Sequence, residues 1–302
     1  IYYDVKFDKQ FLHLHYKRKV GIMIYLLIAT VCFSLSFGLI KSQLSMLPTD
    51  FVVMLRLLFA FVIFLPFVRK FTCKEHLKAF FIGMIQFGIM YFAFLKAFKF
   101  LQGNEVALLT TTTPVFVAIW ASLFGDRFKF VYILCILMSV FGAGIVVWQN
   151  LEFSQIVKGV LLMETSNCTF ALGQVLWKKF IPDEIKSENL MASAYLGAFF
   201  LIMSFVIANN EIASTSLTHL QILAILYLGV VPTGIGFYLW NKGSKYVKSS
   251  TLAIMNNLKI PFGVLFSILI FHEKIDVLNF ILGSSVIILA ILILHWCLKQ
   301  DA

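Results

Sequence analysis

The chain has 302 residues, 60% apolar and 13% charged, with 33 phenylalanines and a formal charge of +10. Soluble domains carry about 25% charged residues, so this composition excludes a water-soluble globule. Apolar runs of about 20 residues recur between short polar segments, each long enough to span a hydrocarbon core roughly 30 Å thick, which predicts an all-α integral membrane protein.

In chain order, residues 1–19 form a basic segment unlike a signal peptide. They are expected to be a cytoplasmic tail, or an upstream extension if translation starts at Met23. Ten transmembrane helices then follow, at 20–40, 51–68, 78–97, 104–123, 130–148, 159–177, 189–207, 220–240, 250–271 and 277–297. Starting inside, 18 of the 25 Lys and Arg residues fall on inner segments, including Arg69, Lys70, Lys178, Lys179 and Lys242, against five outside: Lys41, Lys96, Lys99, Lys158 and Lys274. Basic residues concentrate on the cytoplasmic side of membrane proteins, so both termini are predicted cytoplasmic. The charge orients the chain, and no nucleic-acid partner is expected.

Two segments repeat. "TPVFVAIWASLFGDRF" from Thr113 and "IPFGVLFSILIFHEKI" from Ile260 align at an offset of 147, which also pairs Pro114 with Pro261, Asp126 with Glu273, Arg127 with Lys274 and Tyr91 with Tyr238. An offset of 137 pairs Phe33 with Phe170 and Lys41 with Lys178. The halves, 20–148 and 159–298, hold five spans each; an odd number forces the second to enter from the opposite face, so the repeat is inverted and suits alternating access.

Polar residues inside the spans should face protein or water. On span one they are Thr30, Ser34, Gly38 and Lys41; on span three, Gln86 and Tyr91; on span six, Glu164, Asn167 and Gln174; on span eight, Thr233 and Trp240; on span nine, Asn256 and Lys259. Small residues on these stripes suit close helix packing, whereas the larger groups point to a cavity wall. Pro114 and Pro261 each remove a helical hydrogen bond, from the carbonyls of Thr110 and Asn257, and mark a kink or hinge whose carbonyl is open to substrate or is satisfied by Thr side chains. Lys259 is the sharpest feature, since a lysine at the centre of a membrane helix costs roughly 2.5 to 3.5 kcal/mol. It is expected either to contact an anionic substrate or coupling ion, or to pair with Glu164. Arg56, six residues into span two, is expected to snorkel to the interface or to form an interhelical pair.

Cys32, Cys73, Cys135, Cys168 and Cys297 show no paired spacing, and the six histidines are scattered, so neither a metal site nor a cofactor is indicated. The chain carries no P-loop, HExxH or GxSxG motif, which disfavours an enzyme or an ATP-driven pump.

With "FGLIKSQLSMLPTDFVVMLRLLFAF", "YFAFLKAF", "TTTTPVFVAIWASLFGDRF", "TFALGQVLWKKF" and the Pro261 to Glu273 segment in view, the chain resembles the EamA family of the drug/metabolite transporter superfamily, from about Ile24 to Leu298. It departs from many relatives in having Phe33 where they carry Trp. The resemblance implies an inner-membrane carrier whose cavity is lined by spans one, three, four, six, eight and nine. The expected function is secondary transport of a small metabolite, an amino acid or related carboxylate or amine, with efflux of aromatic or cationic drugs as the alternative and a membrane enzyme or scaffold as a remote one. Candidate contacts are Lys259, Asn256, Glu164, Asn167, Gln174, Gln86, Tyr91, Tyr238, Trp240 and Ser34. The expected partners are that substrate and the lipid bilayer, and a homodimer is left open.

Overall fold

The computed structural model describes residues 24–68, 73–125, 130–146, 153–182, 184–210, 216–244, 246, 256, 259–270, 272 and 276–300. The basic segment before residue 20, Met23, Asp126, Arg127, Asn257, Glu273 and Lys274 lie outside the described residues. Regular structure among those described is helical throughout. The helices are α1 (Ile24–Leu44), α2 (Thr49–Phe67), α3 (Cys73–Ala97), α4 (Glu105–Leu123), α5 (Val131–Val146), α6 (Phe153–Phe180), α7 (Glu188–Ala208), α8 (His219–Ser244), α9 (Lys259–Leu269) and α10 (Val277–Gln300). Among the described residues, α1, α2, α3, α4, α7 and α8 are long and apolar enough to cross a membrane. The chain is an all-α, multi-pass membrane protein.

Local chemistry sets several helix boundaries. Thr218 caps α8: its hydroxyl accepts from the Gln221 amide at 3.3 Å, while its own amide donates to Gln221 Oε1 at 3.0 Å, so two otherwise orphaned donors are satisfied. The Gln102 amide donates to Glu105 Oε2 at 2.7 Å and starts α4 in the same way. Three helices widen locally into π-helical turns, at Ile40–Leu44 in α1, Met84–Ile89 in α3 and Gly229–Gly236 in α8. The last contains Pro232, which cannot donate a backbone hydrogen bond. Tyr195 on α7 donates to the carbonyls of Thr233 and Gly234 at 2.7 and 3.0 Å and so serves backbone acceptors in that irregular stretch.

Packing brings helices together in pairs: α2 lies on α7, α4 on α9 and α5 on α10, while α3 packs between α6 and α7. Lipid offers apolar side chains no less comfort than protein does, so close approach rather than water exclusion drives these contacts. The α3–α7 crossing shows how close. A Cβ on Gly83 would lie 2.0 Å from the Ala194 carbonyl oxygen, and one on Gly197 would lie 2.1 Å from that of Phe80. Each glycine lets the other helix's backbone occupy the space of a side chain. Replacing Gly197 with leucine is expected to force the helices apart and cost about 1–3 kcal/mol or more, read as a lower unfolding temperature of the detergent-purified protein. An unchanged melt would mean that the crossing is looser than described.

Polar side chains also tie the helices at depth. Gln86 on α3 and Asn241 on α8 exchange amide hydrogen bonds, at 2.9 Å from Gln86 Nε2 and 3.4 Å from Asn241 Nδ2. Near one end of the bundle, Lys96 lies 3.7 Å from Asp50 and over the Phe92 ring, and Asn209 donates to the same carboxylate. The Lys41 ammonium donates to the carbonyls of Phe98 and Leu101 at 3.0 and 2.9 Å.

Candidate substrate cavity

The wall of the interior is built on a break in α4. Pro114 has no N–H, so the Thr110 carbonyl loses its helical donor, and Thr110–Thr112 tighten into a 3₁₀ turn. Two side chains take over at that oxygen, Thr113 Oγ1 at 2.7 Å and Asn256 Nδ2 at 2.9 Å. One residue earlier, the Leu109 carbonyl accepts from Asn167 Nδ2 at 2.9 Å. Asn167 also donates to Thr112 Oγ1 at 2.8 Å and accepts from Thr113 Oγ1 at 3.2 Å. The carbonyl exposed by the proline is thus served from within α4 and from Asn256, and α4 presents Thr110 and Thr113 to the space between the helices.

That space is a cavity of about 60 Å³ lined by α1, α2, α3, α4, α6, α8 and α9. Its apolar lining is largely aromatic. Phe237 sits at the centre, with ring centroids 4.7 Å from Phe33, 5.4 Å from Phe170 and 5.7 Å from Tyr91. Such a lining receives flat or aliphatic groups, while a few polar groups fix orientation.

Two cations face the cavity, and no carboxylate is among its described lining residues. Lys259, 6% exposed, donates to Asn256 Oδ1 at 2.6 Å, and its ammonium lies 4.8 Å from the Trp240 ring, 4.9 Å from Phe33 and 5.9 Å from Phe170. Three aromatic faces partly replace the water that a lysine loses on burial. Phe33 and Phe170, which an offset of 137 aligns in the sequence, meet at this one ammonium.

Of the two expectations for Arg56, the interhelical contact holds and snorkelling does not: it is 1% exposed and enclosed by the bundle. Its Nε and Nη2 donate to Thr233 Oγ1 at 3.2 and 3.1 Å, Nη2 also reaches Tyr91 Oη at 3.0 Å, and the guanidinium lies 4.4 Å from the Tyr91 ring centroid. Tyr91 and Thr233 bond to each other at 2.8 Å. Nη1 has no hydrogen-bond partner among the described residues, and Arg56 lines the cavity. Its place six residues into a span left snorkelling open, because a long side chain near a span end ordinarily escapes to the interface. The available signal was its charge within a span, since ionisable residues there usually face the bundle interior or a water-filled cavity.

Of the residues singled out in the sequence, Lys259, Asn167 and Tyr91 line the cavity. Asn256, Trp240 and Ser34 stand behind Lys259: the first two touch its ammonium, and Ser34 Oγ donates to its backbone carbonyl at 3.3 Å. Gln86 is engaged with Asn241, and Gln174 is buried away from the lining with Nε2 unpartnered among the described residues. Tyr238 lies elsewhere, its hydroxyl between Glu188 at 3.2 Å and Lys242 at 2.8 Å, so the two tyrosines that the sequence offset aligns have different surroundings. Glu164 does not pair with Lys259; its Oε2 accepts from Thr112 Oγ1 at 2.8 Å. The ring of Pro261, within α9, is not among the described side chains.

The EamA-like transporter family model matches this chain twice, over residues 20–148 and 157–296. A protein of Pseudomonas aeruginosa named "Probable biotin transporter" is 33% identical over 272 residues, 88% of this chain and 95% of its own length. The "Biotin transporter" of Salmonella typhimurium is 32% identical over 289 residues, 93% of this chain and 95% of its own. The "Biotin transporter" of Escherichia coli K12 is 33% identical over 275 residues, 88% of this chain and 90% of its own. One crystal structure superposes with a TM-score of 0.65 over 94% of this chain and 98% of the other at 15% identity, a likeness of fold. A double match across most of the chain, on a helical membrane protein with an interior cavity, establishes that this protein belongs to the EamA-like transporter family.

Proposed function

We propose that this transporter moves a small organic carboxylate with an apolar or flat body, of the biotin class, by alternating access. The observation that carries this reading is the cavity itself, where Arg56 and Lys259 face the interior, no described lining residue is acidic, and the remaining wall is mostly aromatic. A carboxylate would satisfy the open side of the guanidinium or ammonium, and the bicyclic ring and aliphatic chain of biotin would lie against phenylalanine faces. The names of the relatives agree with that chemistry.

The amino-acid expectation keeps its carboxylate half. Its amine half gains no support, because Glu164, the acid expected to meet an amine, is absent from the described lining. Efflux of cationic drugs is disfavoured by the same two positive charges. The inverted-repeat reading, with halves at 20–148 and 159–298 and ten spans, is supported by the double family match and by the packing of α2 on α7, α4 on α9 and α5 on α10, each helix against its counterpart. We place both termini in the cytoplasm and the chain in the inner membrane, on the charge bias between its loops.

A thermal-shift series on the detergent-purified protein tests the substrate class, because a ligand of the folded state raises apparent stability by mass action. Biotin is expected to raise the unfolding temperature, and biotin methyl ester, which lacks the charge, to do so far less. A shift with amino acids and none with biotin would overturn the proposal.

A further inference from the structure

Glu164 lies midway along α6, outside the described cavity lining. Its Oε1 is enclosed and has no hydrogen-bond partner among the described residues, and Oε2 has the Thr112 hydroxyl. No cation lies within ion-pair distance of it among the described residues, whereas Asp50 has Lys96. An ionised carboxylate accepts at both oxygens, yet Oε1 has no donor here, an arrangement that suits a carboxyl able to carry a proton.

The proton has a structural consequence, because Thr112 carries a single hydroxyl hydrogen. Thr112 Oγ1 lies 2.8 Å from Glu164 Oε2 and 3.1 Å from the Leu109 carbonyl, and it accepts from Asn167 Nδ2. When Glu164 is ionised, Thr112 must give its hydrogen to the carboxylate, leaving Leu109 with Asn167 alone. When Glu164 is protonated, its own O–H donates to Thr112, and the threonine hydrogen returns to Leu109. One proton therefore changes how the turn before Pro114 is held, and that turn carries Thr110 and Thr113 into the cavity wall.

Around Glu164 the ionisable groups are few. Cys168 lies one turn along α6. On α4 the neighbours are threonine hydroxyls, α5 offers Cys135, which packs with Val115 and Ala118, and α3 offers Tyr91. Lys259 and Arg56 face the cavity from α9 and α2 without touching the carboxylate.

From this geometry we infer that Glu164 is a proton-binding site coupled to α4, so that a proton crosses with, or in exchange for, the carboxylate substrate. In each cycle a proton from water on one side forms the carboxyl O–H, and the same bond breaks to release it on the other. The inference rests on the transporter reading above, but proton binding is testable without a substrate.

Infrared difference spectra of the purified protein across pH are expected to show a protonated-carboxyl band that shifts in D2O and is missing in Glu164→Gln. A band unchanged by that substitution would overturn the proposal. In proteoliposomes, accumulation of radiolabelled biotin driven by a proton gradient is expected to fall by about tenfold or more in Glu164→Gln, with biotin–biotin exchange retained. Thr112→Val keeps the carboxyl but cuts its tie to α4, and is expected to keep the infrared band while losing gradient-driven accumulation. Retention of that accumulation in Glu164→Gln would sink the coupling. If the unsubstituted protein moves biotin in neither mode, the substrate reading fails, and the infrared result still decides the proton site.

Discussion

Lys259→Met is expected to bind biotin about 30-fold or more weakly and yet to melt at a higher temperature without ligand. The two effects share one cause. The ammonium is buried with, among the described residues, a single hydrogen-bond acceptor, Asn256 Oδ1, and three aromatic faces, so the free protein holds a largely uncompensated charge. Methionine keeps similar length and apolar volume without that charge, and replacing buried charge by apolar volume is commonly neutral or stabilising by about 1–4 kcal/mol. A bound carboxylate would compensate the ammonium, and losing one partner of a desolvated charge pair costs about 2–5 kcal/mol of binding. Calorimetric titration with biotin and thermal unfolding of the same preparation read both quantities. If Lys259→Met binds biotin as the parent does, the carboxylate is held elsewhere.

Arg56→Lys is expected to weaken biotin binding by about tenfold or more, although the charge is kept, because a planar fork and a point cation are not interchangeable. Arg56 uses Nε and Nη2 to grip Thr233 and Tyr91 and leaves Nη1 unpartnered beside the cavity. A lysine ammonium in the same place cannot hold both hydroxyls and also reach a ligand. Tyr91 and Thr233 already bond to each other, so Arg56→Met should remove binding with little loss of folded stability. Equal binding of biotin by Arg56→Lys and the parent protein would show that only charge matters there. Collapse of the fold in Arg56→Met would show that the guanidinium chiefly braces α2 to α8.

The second prediction shows where reading the chain linearly reached its end. Pro114 and the run of threonines before it announced a broken helix, since proline chemistry is local, and the Thr110 carbonyl is indeed met by a threonine hydroxyl. That Asn256 is its other donor was not legible, because 146 residues separate the two. Lys259 stood out through its cost in a membrane segment, and its companions Asn256 and Trp240 lay on stripes visible at helical spacing. The pairing of Glu164 with Lys259 was open in the sequence because axial position along two spans is known only to within a few residues. In the fold, Glu164 turns to Thr112 and Lys259 to Asn256.

By itself the sequence determined that the chain lives in a bilayer as helices, that Pro114 breaks one of them and which groups needed company inside. Those properties follow from composition, period and backbone chemistry, which act over a few residues. Only the tertiary structure decided that Arg56 turns inward, that Tyr91 meets the cavity while Tyr238 does not, and that Phe33 and Phe170 share one ammonium. These depend on the azimuth and depth at which helices cross, set by close contacts such as Gly83 on Ala194, and no local pattern encodes a rotation between two rods.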